Sequence, residues 1–132
     1  MMISTKGRYA LRVLIDLAEH HNGSYISMKS VAERQELSLK YMEKILPLLV
    51  SAGFVESVQG RGGGYRLVRK PQEYTIGEIL RQAEGSLAPV ACLECTPAGC
   101  KRTETCKTLP FWKGLDKVVN EYLDSITLAD LA

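Results

Sequence analysis

"SLKYMEKILPLLVSAGFVESVQGRGGGYRLVRK", residues 38–70, decides the fold. It opens on Ser38, a residue suited to capping a helix. Met42, Ile45, Leu46 and Leu49 follow at i, i+3, i+4 and i+7, the spacing of one buried helical face. The pattern ends near Ala52-Gly53, where glycine commonly terminates a helix. Residues 54–70 then read as two strands joined by a glycine-rich turn, with Val58 and Tyr65 flanking it. Arg61, Arg66, Arg69 and Lys70 against Glu56 leave this ribbon at net +3. A helix with the polar opening "SLKYMEK" followed by a thin basic ribbon is the second half of a winged helix-turn-helix. Pro47 conflicts locally with that reading. A proline in a helix interior forfeits a hydrogen bond and costs about 3 kcal/mol, so a kink, or a break that shortens the helix, is expected there.

Upstream, Thr5, Arg8, Arg12, Asp16 and Glu19 recur at helical spacing over residues 5–21, a wet stripe on a helix otherwise covered by Ala10, Leu11, Val13, Leu14, Leu17 and Ala18. Ser27 caps a short second helix reaching about Gln35, the first half of the helix-turn-helix, which buries Met28, Val31 and Ala32. Downstream, Thr75 and Glu78 have capping-box spacing ahead of Ile76, Ile79, Leu80 and Ala83, and Gly85 closes that helix. Thr108 is the expected cap of a long last helix. In it Trp112, Leu115, Val119, Tyr122 and Ile126 step by three and four residues, a two-heptad seam. Lys113, Asp116, Lys117, Asn120 and Asp124 are expected to face water on its other side. Thr127 and Asp130 suggest one further short turn.

The expected fold is therefore mostly α with a small β-hairpin: a winged helix-turn-helix plus a long C-terminal dimerisation helix. The expected division is a DNA-binding domain over 1–85, a cysteine-rich sensor loop over 86–107, and a dimerisation helix with a tail over 108–132. A chain of 132 residues, 45% apolar and 24% charged, suits one compact domain with an added oligomerising element. It contains no apolar run long enough to span a bilayer, and its N-terminus lacks a signal-peptide core, so a cytoplasmic protein with no membrane partner is expected. Residues 1–70 carry eleven Lys/Arg against six Asp/Glu, whereas 71–132 carry six against nine. A basic first half points to a polyanionic partner.

On residue types alone, Ser38, Lys40, Tyr41, Glu43 and Lys44 suit a DNA major groove: lysines to phosphate or guanine acceptors, Glu43 to a cytosine amino group, Tyr41 and Ser38 to backbone oxygens. Arg61, at the wing tip, suits a minor groove. A packing module that binds an enzyme instead of DNA is the rival reading. No nucleophile-base pair or phosphate loop is visible, since "GRGGG" lies in a hairpin, so an enzyme is not expected.

All four cysteines fall in "CLECTPAGCKRTETC", as Cys92, Cys95, Cys100 and Cys106 with spacing C-x2-C-x4-C-x5-C. Cytoplasmic context argues against a permanent disulfide, though a transient one between Cys92 and Cys95 stays open. Zinc sites usually show two short-spaced pairs, and here only the first pair is short. Four thiolates holding an iron-sulfur cluster tolerate such irregular spacing, and Lys101, Arg102 and Lys107 would favour the thiolate form. Iron-sulfur ligation, zinc and cofactor-free thiol switching remain open on these grounds, the first favoured.

"STKGRYALRVLIDLA", "SLKYMEKIL", "GRGGGYRL", the cysteine loop and "FWKGLDKVVNEYLDSITLADL" together resemble the Rrf2 family of bacterial transcription regulators from end to end. The resemblance implies a homodimer on a double-stranded DNA operator, with affinity set by a 2Fe-2S or 4Fe-4S cluster. It gives Ser38, Lys40, Tyr41 and Glu43 the role of reading DNA. In the wing, the position of a family arginine holds Gln59, beside Gly60 and Arg61. Family members typically use three cysteines plus a histidine or an acidic residue. Those two positions hold Leu109 and Arg8, so Cys95 becomes the replacement ligand. Cluster-free members that regulate cysteine metabolism keep a thiol- or zinc-responsive alternative open.

Overall fold

The computed structural model describes residues 3–93 and 106–132. Among the described residues six α-helices and one hairpin follow in the order α1 (Thr5–Glu19), α2 (Met28–Gln35), α3 (Leu39–Ser51), β1 (Val55–Val58), β2 (Gly64–Leu67), α4 (Ile76–Glu84), α5 (Leu109–Ser125) and α6 (Leu128–Leu131), with 3-10 turns at Pro71–Glu73 and Ala91–Leu93. The architecture is mostly helical with a two-stranded antiparallel hairpin, as expected. α1 is the central helix, and α2, α3, α4, α6 and β2 all pack against it. Its Ala10, Val13, Leu14 and Leu17 meet Val31, Met42, Ile45, Leu46, Leu49 and Ile79 in one core.

The caps form where short polar side chains precede apolar runs. Ser27 accepts from Ser30 N, Ser38 from Tyr41 N, and Thr75 with Glu78 forms a complete capping box. Between α2 and α3 the chain turns through Glu36 in the left-handed region (φ 56°), and Leu37 N donates to the Ala32 carbonyl at 2.9 Å, a Schellman-type closure.

Three expectations need correction. Of the kink or break expected at Pro47, the break does not occur: α3 continues to Ser51, its apolar face anchored on both sides of the proline by Met42, Ile45, Leu46 and Leu49. Packing of that face outweighs the lost hydrogen bond. Asp16 does not belong to a wet stripe: it is fully buried, held by Arg34 Nη2 at 2.7 Å, Arg34 Nε at 3.0 Å and Gln35 Nε2 at 3.0 Å. Arg12, from the same stripe, donates to the Gln35 carbonyl, so this polar edge of α1 is the seat of α2. Thr108 does not cap α5 with its side chain; its Oγ1 lies 3.2 Å from Cys106 Sγ.

The chain returns to the core at its end. Ile76 N donates to the Ile126 carbonyl and Leu128 N to the Tyr74 carbonyl, each at 2.9 Å. Thr127 and Asp130 form a second capping box, and Leu128 is fully buried. Among the described residues no helix is long and apolar enough to cross a membrane.

Candidate nucleic-acid interface and cysteine segment

The amphipathic pattern of α3 turns Met42, Ile45, Leu46 and Leu49 inward and leaves Ser38, Lys40, Glu43 and Lys44 exposed. Ser38 Oγ is already an acceptor for Tyr41 N, so it organises the first turn as well as lining it. Tyr41 is half-buried. Its ring meets Tyr9 of α1 edge to face, centroids 4.9 Å apart at 77°, and the Arg12 guanidinium stands 5.2 Å above the Tyr9 ring. Leu39, at the helix start, is exposed although apolar.

The wing pairs Val55 with Leu67, Glu56 with Arg66, Ser57 with Tyr65 and Val58 with Gly64. Ile26 adds a single bridge to Tyr65, with bonds of 2.8 and 2.7 Å in the two directions. Gly64 permits this approach, since a Cβ there would strike the Ile26 carbonyl; φ is also +153°. A Cβ on Gly63 would strike the Val58 carbonyl, which keeps the ribbon narrow. Gln59, Gly60 and Arg61 are exposed at its tip.

The wing is less basic toward solvent than its composition predicts. Arg66 pairs with Glu56, donates to the Gly23 carbonyl at 3.0 Å and stacks 4.4 Å from the Tyr25 ring. Arg69 pairs with Glu78 at 2.7 Å and stacks 4.3 Å over Tyr74. Tyr74 is itself buried, donating to the Phe54 carbonyl and accepting from Val68 N and Arg69 N. Two of the four cations therefore bind the wing to its base, and Arg61 and Lys70 remain exposed.

Two carboxylates in these supports titrate low. Burial pushes the Asp16 carboxyl up, but hydrogen bonds from Arg34 and Gln35 and the nearby positive charge outweigh it and hold it below the ordinary range. Glu78 behaves alike: burial raises it, while Arg69 and the Thr75 backbone bring it down further.

On α5, Phe111, Leu115, Val118 and Tyr122 are exposed, with 65%, 36%, 63% and 66% of each accessible. At 100° per residue they fall within about 60° of one another, one narrow apolar stripe. Of the expected seam, Leu115 and Tyr122 lie on this stripe, Trp112 and Val119 are half-buried beside it, and Ile126 packs on the core just past the helix end. Sequence reading missed Phe111 and Val118. Their own i, i+4, i+7, i+11 spacing with Leu115 and Tyr122 is the pattern that would have found them. The face expected to meet water is partly turned inward: Arg81 of α4 holds Asn120 Oδ1 at 2.8 Å and Asp124 Oδ1 at 2.9 Å.

Of the four cysteines, Cys95 and Cys100 lie outside the described residues, and Cys92 falls in the short 3-10 turn Ala91–Leu93. Cys106 is half-buried beside Thr108. Among the described residues no three His, Cys, Asp or Glu side chains converge as a metal site. Arg8 is exposed and Leu109, the first residue of α5, is buried; neither side chain can ligate a metal.

A family model described as "Iron-dependent Transcriptional regulator", Rrf2, matches residues 3–132. The chain belongs to the Rrf2 family. CymR of Bacillus subtilis (strain 168) is 41% identical over 132 residues, which is all of this chain and 90% of CymR. The solved structure of that protein, "the Global Cysteine Regulator of B. subtilis", superposes with a TM-score of 0.80 at 42% identity, covering 100% of this chain and 96% of that one. T. potens IscR superposes with a TM-score of 0.78 at 40% identity, over 99% of this chain and 85% of that one. The oxidised form of Staphylococcus aureus CymR gives 0.75 at 36% identity, over 100% and 96%. As an Rrf2 member the chain is a transcriptional regulator, in a family whose regulators bind DNA, and not an enzyme.

Proposed function

We propose that this Rrf2 protein is a homodimer that binds a double-stranded DNA operator through α3 and the wing, and whose affinity answers to chemistry at Cys92, Cys95, Cys100 and Cys106. The observation that carries the reading is α3 itself: an anchored helix, capped at Ser38, presenting Lys40, Glu43 and Lys44 outward. Lys40 and Lys44 carry phosphate and guanine contacts, Glu43 takes a cytosine amino group, and Tyr41 and Ser38 set the first turn. Gln59, Gly60 and Arg61 follow the minor groove. The α5 stripe buries itself against its counterpart, supplying the two-fold axis that a pseudopalindromic operator mirrors. Residues 1–85, 86–107 and 108–132 divide the work into reading, sensing and pairing.

Four thiolates are the donor set of a 2Fe-2S or 4Fe-4S cluster, which supplies one-electron redox chemistry when bound. This chain's contribution is the thiolates together with Lys101, Arg102 and Lys107, whose charge favours thiolate over thiol. Likeness to the cysteine regulator CymR, of which an oxidised form exists in S. aureus, favours a second reading in which the cysteines switch by thiol oxidation without a metal. Anaerobic purification with iron, sulfide and zinc analysis and a visible spectrum separates the two. Iron and sulfide in equal amounts support the cluster; metal-free protein with a reversible disulfide by alkylation mass supports the switch.

A further inference from the structure

Glu84 ends α4, yet its carboxylate lies against the start of α1. Oε1 accepts from Ser4 N at 2.9 Å and from Gly7 N at 3.1 Å, and Ser4 Oγ reaches both carboxylate oxygens at 2.8 and 2.9 Å. Ser4 does not cap α1 with its own side chain. The unpaired N–H groups and positive end of that helix are thus met by a carboxylate from another helix. Gly7 is part of the device, because a Cβ there would fall on Glu84 Oε1. Two residues further along α1 stands Tyr9, whose ring meets Tyr41 of α3 at 4.9 Å. Tyr41 N in turn is bonded to Ser38 Oγ.

We infer that Glu84 is a positioning residue for operator reading. By holding the first turn of α1 it places Tyr9, and Tyr9 places Tyr41 and the opening turn of α3. The route from the end of α4 to the reading face is one carboxylate, one turn of helix and one ring contact. It rests on the proposal that α3 reads DNA, and it adds that the last helix before the cysteines is mechanically joined to the reading head.

The test compares Glu84→Gln, Tyr9→Leu and the double variant by fluorescence anisotropy on an operator selected from genomic fragments, with hydrogen exchange on the free proteins. Each single change raises the operator Kd about five- to tenfold. The double variant is no worse than the weaker-binding single, because both lie on one route. The slope of log Kd against log salt stays at its unmodified value, since no phosphate contact is lost. Exchange quickens at residues 38–44 as well as at 4–10. Ser4→Ala, an exposed change that removes only the Oγ contacts, gives a smaller shift in the same direction and stands in should Glu84→Gln fail to fold. A lowered melting temperature with Kd within twofold of the unmodified protein, or exchange quickened at 4–10 alone, makes Glu84 a structural cap and overturns the inference. Multiplied effects in the double variant overturn the shared route. If the unmodified protein binds no operator, the underlying reading fails and takes the inference with it.

Discussion

Helices α3 and α5 are both amphipathic, but they differ in what they leave outside. α3 sends Met42, Ile45, Leu46 and Leu49 into the core and its charges outward, the ordinary arrangement for a helix whose partner is water or a polyanion. α5 gives Asn120 and Asp124 to Arg81 and leaves Phe111, Leu115, Val118 and Tyr122 outside. A polar contact inside and an apolar stripe outside is a sound arrangement only when something else covers the stripe. On the function proposed above, the two helices meet different partners: DNA for α3, a second copy of the chain for α5.

The strongest way to break this contrast is to charge the α5 stripe. Val118→Asp with Tyr122→Asp should raise the dimer dissociation constant at least about a hundredfold, measured by sedimentation equilibrium, because central apolar residues carry most interface energy. The helical content of each chain should be unchanged. A dimer as tight as before would show that the stripe is not the pairing surface.

The seat of α2 on α1 offers a second test. Arg34→Met removes the main partner of the buried Asp16, and should cost about 2–3 kcal/mol in denaturant unfolding at neutral pH. The pH profile gives the sign. Asp16 titrates below its unfolded value, so its contribution is complete above the ordinary carboxylate range and is lost as pH falls through the folded pKa. The unmodified protein should lose stability on acidification, and Arg34→Met should lose markedly less, since burial without the arginine favours the protonated acid. Equal acid sensitivity of both would contradict the assignment.

Smaller effects sharpen the picture. Arg81→Ala frees Asn120 and Asp124 and should cost about 1 kcal/mol, the scale of a half-exposed ion pair backed by a second hydrogen bond. It is read as a melting shift that shrinks in high salt. Glu36→Gly relieves a left-handed backbone at the turn between α2 and α3 and should stabilise by about 0.5 kcal/mol in the same assay. Destabilisation instead would mean that the Glu36 side chain, and not its backbone, matters there.

Local chemistry was legible in the sequence and distant chemistry was not. Ser27, Ser38 and Thr75 each cap a helix within three residues, and Leu37 through Gly53 carries its own periodicity, so those features could be read in place. Asp16 looked solvent-facing because its partners, Arg34 and Gln35, lie 18 and 19 residues away. Arg66 and Arg69 looked like wing charges for the same reason: their rings and carboxylates are supplied by the fold. The exposed α5 stripe lies about 50° around the helix from the expected seam, since only contacts made by the fold, such as Arg81 with Asn120 and Asp124 and Leu123 on the core, show which side of the helix the chain covers. Pro47 is a local cost in the sequence, and packing on both sides of it keeps the helix from ending there. Glu84 carries no motif at all, because a cap supplied across 80 residues leaves no spacing to detect.

The contrast between the two helices is tested most directly by salt-dependent affinity for an operator fragment selected from genomic DNA, with the unmodified protein beside Lys40→Glu/Arg61→Glu. The account predicts tight binding that weakens steeply with salt, a loss of at least about a hundredfold in the variant, and a salt slope reduced by about one unit for each phosphate contact removed. Equal affinity of the two proteins across the salt series, or no fragment held above non-specific DNA, would contradict it.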